Sequence, residues 1–291
     1  MSAFSNFWAS YGSVVQFALI NMILAISIYF TLYSGMLSLA NAGFMAIGAY
    51  LSAVLTIRTG LPLPLGLACG GLAAAAVAFL LGLPVLRLRG IYLAIATIGF
   101  GEIVRIFAIN FDKFSGLQLL GGAEGLAGVP KLTTPAALLV TLLVLVYLLI
   151  RLPRSRTGRA LAAIRQDENV AASMGVDVFR YKMLAFVLGA FVAGLAGGFD
   201  AHLTRFVDPN SYGFDAAVNI LAYAILGGTA HWAGPLLGAA ILTVLPESLR
   251  FLQDYRGIVN GLIIVVVILY LPRGLVDPKA FHRKETPHAE A

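Results

Sequence analysis

Charge is what this sequence has least of. Asp, Glu, Lys and Arg make up 12% of its 291 residues, against roughly 25% in a soluble globular domain. With 59% apolar residues, that scarcity excludes an ordinary soluble domain and makes the chain an integral membrane protein. The single cysteine, Cys69, excludes an intramolecular disulfide and any Cys-based metal site. No GxxxxGK[ST] stretch occurs anywhere, so the chain supplies no ATP-binding loop of its own. A Ser/His/Asp constellation, zinc-ligand spacing and paired carboxylates are also missing, and catalysis is not expected. The opening residues MSAFSNFWAS lack a charged n-region and a cleavage site, so the first apolar span is expected to stay in the membrane.

What is present is a series of apolar runs. Candidate spans are 12–31, 35–57, 62–83, 91–110, 134–152, 183–203, 213–229, 235–252 and 257–272, most of them near the roughly 20 residues that cross a bilayer. The expected fold is all-α, a polytopic transmembrane helical bundle of about eight to nine spans. The net charge of +6 comes from basic residues clustered in loops beside these spans, which fits positive-inside topology better than nucleic-acid binding. If residues 153–182 are cytoplasmic, so are Arg87–Arg89 and the tail after Pro272, which leaves the N-terminus outside and the C-terminus inside.

One segment is both long and strongly charged, PRSRTGRALAAIRQDENVAASMGVDVFRYK at 153–182. Ser155 or Thr157 can cap a short helix, Ala160, Ile164, Ala171 and Met174 fall near helical spacing, and Gly175 supplies a left-handed stop. A capped helix in a charged loop suits docking to a soluble partner; a loop that only fixes topology fits the pattern equally well.

Other polar features lie within or beside spans. Span 35–57 is interrupted by Gly35, Gly43 and Gly48, with Ser34, Ser38 and Asn41 close by. Such a span either packs closely through small residues or lines a substrate path. In span 91–110, Glu102 and Arg105 stand three apart and can pair along one helical face. Ionisable groups at membrane depth are functional candidates, although a pair that neutralises itself also serves as a structural bridge. Asp200 and His202 read as residues of the outer interface rather than metal ligands. The Gly-rich stretch 110–133 is a gate, a docking surface or a plain connector.

Four stretches together carry a likeness: LSLANAGFMAIGAY at 37–50, LRLRGIYLAIATIGFGEIVRI at 86–106, SRTGRALAAIRQDENVAASMGVDVFRYKMLAFVLGAFVAGLAGG at 155–198, and ILGGTAHWAGPLLGAAIL at 225–242. Over about 25–275 the chain resembles the branched-chain amino acid permease family of ABC importers. It departs from the family at Ala40–Asn41, where a Gly–His pair is common, and at GGAEGLAGVP, 121–130, where a Gly–Gly–Pro–Asn–Gly type segment is usual. The resemblance implies one permease domain over 1–275, with 153–182 as its cytoplasmic coupling loop and 276–291 as a polar tail. In that loop it implies Arg159, Arg165, Asp167, Glu168 and Gly175 as residues that contact or shape the interface with an ATPase. The path would run along spans 35–57, 91–110 and part of 183–203, with Ser38, Asn41, Thr97 and Glu102 as candidates. This chain would bind no cofactor, and ATP and Mg would belong to two partner ATP-binding subunits. A related second permease subunit, an extracytoplasmic solute-binding protein and a bacterial inner membrane complete the implied assembly. Members of the family also serve urea, short amides and small aromatic acids, and an ion-coupled secondary transporter is the competing class.

Overall fold

A computed structural model describes residues 2–116, 119–229 and 231–248, with side chains described for 11–245 of these. Ten helices follow one another: α1 (Ser2–Tyr33), α2 (Asn41–Thr59), α3 (Leu63–Val85), α4 (Ile91–Ser115), α5 (Pro135–Arg151), α6 (Arg156–Gln166), α7 (Glu168–Ser173), α8 (Val178–Thr204), α9 (Phe214–Gly227) and α10 (Ala233–Ser248). Among the described residues six helices are long and apolar enough to cross a membrane, namely α1 from Tyr11, α2, α3, α4, α5 (here to Arg154) and α8, while α9 and α10 are shorter apolar helices. The chain is therefore an all-helical, multi-pass membrane protein. The first eight expected spans each coincide with a helix, and among the described residues six of these eight reach crossing length. The expected span 257–272 and the tail 276–291 lie outside the described residues.

The helix edges follow local chemistry. Thr134 caps α5 by accepting the Ala137 N–H at 3.3 Å, with Pro135 at the first helical position. Gly60 and Gly116, both left-handed, end α2 and α4. Several edges differ from expectation, among them the end of α4, which runs to Ser115 rather than 110, and two have a visible local cause. Helix α2 starts only at Asn41, because residues 34–40 turn non-helically after Gly35 (φ +78°). Helix α8 starts at Val178, five residues early, because the Asp177 side chain accepts the Arg180 N–H at 3.1 Å and caps it.

Helix α8 is the centre of the bundle and packs against α1, α2 and α3. Backbone-to-backbone approach through glycine makes this possible. A Cβ added at Gly48 would sit 2.1 Å from the Gly194 carbonyl oxygen, and one at Gly197 would sit 1.9 Å from that of Met45. Small-residue packing of this kind joins helices where no hydrophobic drive exists between them, and it accounts for Gly48, through which α2 runs unbroken as it does through Gly43 rather than being interrupted there. Helix α5, by contrast, buries only a stripe of Leu138, Leu142, Leu145 and Leu149 and turns its other faces outward.

Alternating crossings give the bundle two ends. Residues 34–40, Arg89, the loop 152–177 and Thr229 meet at one, the loop end. At the far end, Leu126–Ala127 pairs antiparallel with Phe206–Val207, the only strand pairing among the described residues. Asp112 accepts the N–H groups of Leu119, Leu120 and Gly121 at 2.7–3.0 Å, which fastens the start of the Gly-rich stretch.

Candidate functional site

The loop between α5 and α8 folds as two helices, not one. Ser155 opens α6: its hydroxyl accepts the Gly158 N–H at 2.9 Å and donates to the Leu152 carbonyl at 2.7 Å. Gly158 has no alternative here, since a Cβ would lie 1.8 Å from the Leu152 oxygen. Asp167, extended at φ −158°, breaks the helix and caps α7 by accepting the Asn169 and Val170 N–H groups at 2.8 and 3.1 Å. Gly175 (φ +80°) then stops α7 as expected, with open space where its Cβ would be. Leu161, Ile164 and Ala171 face inward and are buried, whereas Met174 is 81% exposed and projects from the surface instead of completing an inward stripe.

The five candidate loop residues divide between two directions. Arg165 points back at its own chain. Its guanidinium donates to the carbonyl (3.1 Å) and hydroxyl (2.9 Å) of Thr229, and its Cα lies 3.2 Å from where a Gly35 Cβ would be. Glu168 also turns inward, paired with the buried Lys182 of α8 and 3.7 Å from Arg89. These contacts clamp the loop to the α1–α2 break, the α3–α4 turn, the start of α8 and the α9–α10 turn. Arg159, Asp167 and Gly175 are exposed, with Arg159 held by the Arg154 carbonyl at 2.7 Å. Beside them Val170 is exposed with Met174. Sequence reasoning missed Lys182 and Thr229. A lysine at the apolar start of a span signals a need for a carboxylate, but nothing in the sequence selects Glu168, fourteen residues away.

The polar residues of the α2 break form a second place. Ser38, Asn41 and Thr97 are buried. The Thr97 hydroxyl accepts the Leu39 N–H at 3.0 Å and reaches the Leu93 carbonyl at 2.9 Å. The Asn41 amide donates to Ser27 Oγ at 2.7 Å, Ser27 donates in turn to the Leu24 carbonyl, and Ser38 Oγ lies 3.4 Å from the Ala40 N–H. Every one of these groups supports irregular backbone or a neighbouring helix, as non-helical chain at membrane depth requires.

Glu102 stands apart from both. Arg105 Nε donates to its Oε2 at 2.9 Å, the pairing that the i,i+3 spacing predicts, and Arg105 Nη1 donates to Asn210 Oδ1 at 2.7 Å. Each side chain of the pair is about one third exposed, 31% for Arg105 and 34% for Glu102. Asp200 and His202 do not meet. Asp200 accepts from the Tyr212 hydroxyl at 3.1 Å. His202, fully buried, has Nδ1 3.0 Å from the Pro130 carbonyl and Nε2 3.2 Å from Ser52 Oγ. Facing a carbonyl, Nδ1 carries the proton, which leaves Nε2 to accept from the serine hydroxyl. His202 is thus an internal tie rather than an interface residue.

Comparison with known proteins agrees with this picture. Residues 10–268 match the family described as the branched-chain amino acid transport system permease component. The chain is 36% identical over 277 residues to the high-affinity branched-chain amino acid transport system permease protein LivM of Escherichia coli (strain K12), with 84% of this chain and 64% of LivM covered. It is 30% identical over 167 residues to the corresponding LivH protein of Salmonella typhimurium, with 56% of this chain and 53% of LivH covered. The chain thus spans less than two thirds of the length of either relative. No solved structure matches it. A match over nearly the whole chain, on a glycine-packed bundle with a clamped, capped loop, places this protein in the branched-chain amino acid transport permease family.

Proposed function

We propose that this chain is the membrane permease subunit of an ATP-driven importer and forms half of the translocation path for a branched-chain or related amino acid. In this reading a related permease chain supplies the other half, two ATP-binding subunits hold ATP and Mg, and an extracytoplasmic binding protein delivers the solute. The loop end faces the cytoplasm, with the N-terminus outside and the C-terminus inside.

The observation that carries the reading is the two-sidedness of the loop 152–177. Its inner side is fixed to four parts of the bundle through Arg165 and Glu168. Its outer side presents Arg159, Val170 and Met174. A rigid element held by many helices and open to solvent on one face transmits movement of a docked partner as rigid-body motion. Arg159, Asp167 and Gly175 then shape the ATPase contact, with Val170 and Met174 as its apolar knobs, while Arg165 and Glu168 carry its movement into the spans.

The test is labelled-leucine uptake into proteoliposomes that contain the chain with its co-purifying partners, with ATP inside, binding protein outside and ion gradients collapsed. ATP-dependent accumulation is expected. Uptake that needs an ion gradient and no ATP overturns the reading. Gly175→Glu, which strains a left-handed residue on the outer side, is expected to abolish uptake while the protein stays in the membrane.

A further inference from the structure

The polar residues best placed to meet a solute lie on α4 and the segment before α9, not at the α2 break. Depth can be read along the helices. Glu102 and Arg105 lie eleven and fourteen residues beyond Ile91, about 16 and 21 Å from the loop end at 1.5 Å per residue, near the middle of a hydrocarbon layer about 30 Å thick. Helix α9 has 14 residues and ends beside Thr229, at the loop end. It extends about 21 Å, so its start at Gly213 lies at the same depth as Arg105. The Arg105–Asn210 bond agrees with that placement.

Residues 209–213, the 3-10 turn Pro209–Tyr212 and Gly213, therefore lie at membrane depth, and Asn210 and Ser211 are exposed there. Lipid does not sustain such a surface, so it faces water or protein. The polarity is confined to one flank of α4. On the other flank Val104, Phe107 and Phe111 meet the apolar Ile47, Leu51 and Val54 of α2. Gly213, with φ −81°, needs no special backbone freedom; its missing side chain leaves room, since a Cβ would lie 3.4 Å from Arg105 Cδ and 3.5 Å from Glu102 Oε1.

The chemistry of the pair is two-sided. Nε and Nη1 of Arg105 are engaged, and its remaining N–H groups have no acceptor among the described residues; neither does Glu102 Oε1 have a donor there. A guanidinium with free N–H groups receives a carboxylate, and a free carboxylate oxygen receives an ammonium. The pair has no net charge, so it favours a dipolar solute without trapping an ion. We propose that Glu102, Arg105 and Asn210 form a contact station for the charged ends of a small zwitterion, which rests on reading the chain as an amino-acid permease.

The experiment compares wild type with the charge swap Glu102→Arg/Arg105→Glu in the complete reconstituted complex. The swap preserves an i,i+3 ion pair, and the Asn210 amide can turn to donate, so a purely structural pair survives it. Uptake of labelled leucine is expected to fall at least about tenfold, with normal membrane levels and co-purification of partners. Wild-type uptake by the swap overturns the proposal. A second measurement does not depend on the swap folding: Ser211→Cys in a Cys69→Ser background is expected to react with a membrane-impermeant thiol reagent, and saturating leucine with its binding protein to slow that reaction. A thiol that does not react overturns the proposal. If wild type itself accumulates no amino acid with ATP, the functional reading fails; if it does and the swap matches it, only the station fails.

Discussion

Glu168 offers the sharpest test of which way the loop faces. A carboxylate that served only a partner protein could be removed without consequence to the isolated chain. In the structure it instead neutralises Lys182, whose side chain is 7% exposed, from a position that is itself 28% exposed, with Arg89 at 3.7 Å. Removing one partner of a fully buried pair costs about 3–5 kcal/mol, because the other charge is left in a poor solvent. Partial exposure of Glu168 and the nearness of Arg89 reduce this, and Glu168→Gln is expected to cost about 2 kcal/mol. That corresponds to about 4–8 °C in Tm by the scaling for chains of 150–250 residues. The assay is thermal unfolding of the purified subunit in detergent, without any partner, for Glu168→Gln, Lys182→Met and the double variant. Removing both charges is expected to recover most of the loss, with a coupling energy of about 1–2 kcal/mol in the cycle. A Glu168→Gln protein as stable as wild type, combined with loss of ATPase binding, would refute the inward clamp.

Three further outcomes follow from the same geometry. Gly48→Ala puts a Cβ 2.1 Å from the Gly194 backbone oxygen, and backbone cannot move aside as a side chain can; an overpacking loss of about 3 kcal/mol or more is expected as a lower detergent Tm, whereas Gly60→Ala, with open space at its Cβ, should show only the strain of its left-handed backbone, about 1 kcal/mol. Arg165→Lys keeps the charge but not two parallel donors to Thr229, so leucine uptake per ATP hydrolysed is expected to fall severalfold with the subunit still assembled; an unchanged ratio would remove the Arg165–Thr229 link from the coupling route. Gly175→Asn, which tolerates the left-handed region, is expected to retain far more uptake than Gly175→Val, and equal activity of the two would show that the φ of +80° is not what the position requires.

Much of this molecule was legible before any coordinates. Bilayer thickness is a length that apolar runs must match, so the membrane class, the all-helical fold and the eight apolar helices α1–α5 and α8–α10 follow from hydropathy, with edges displaced where caps such as Asp177 act. Ser155 and Gly175 were legible because capping and left-handed stops are local events, settled within a few residues. The Glu102–Arg105 pair was legible for the same reason, as helical spacing brings i and i+3 together. What tertiary structure decided is direction. Only packing shows that Arg165 and Glu168 turn toward their own bundle while Met174 turns away, because their partners Thr229 and Lys182 are distant in sequence or lie on another helix. Only packing shows that Ser38, Asn41 and Thr97 are consumed in supporting the break before α2, and that His202 is held inside by Pro130 and Ser52. Hydropathy counts how much polarity a membrane chain carries; whether each polar group meets backbone, lipid, water or a partner depends on which helices stand beside it, and that is fixed by where glycines allow helices to approach.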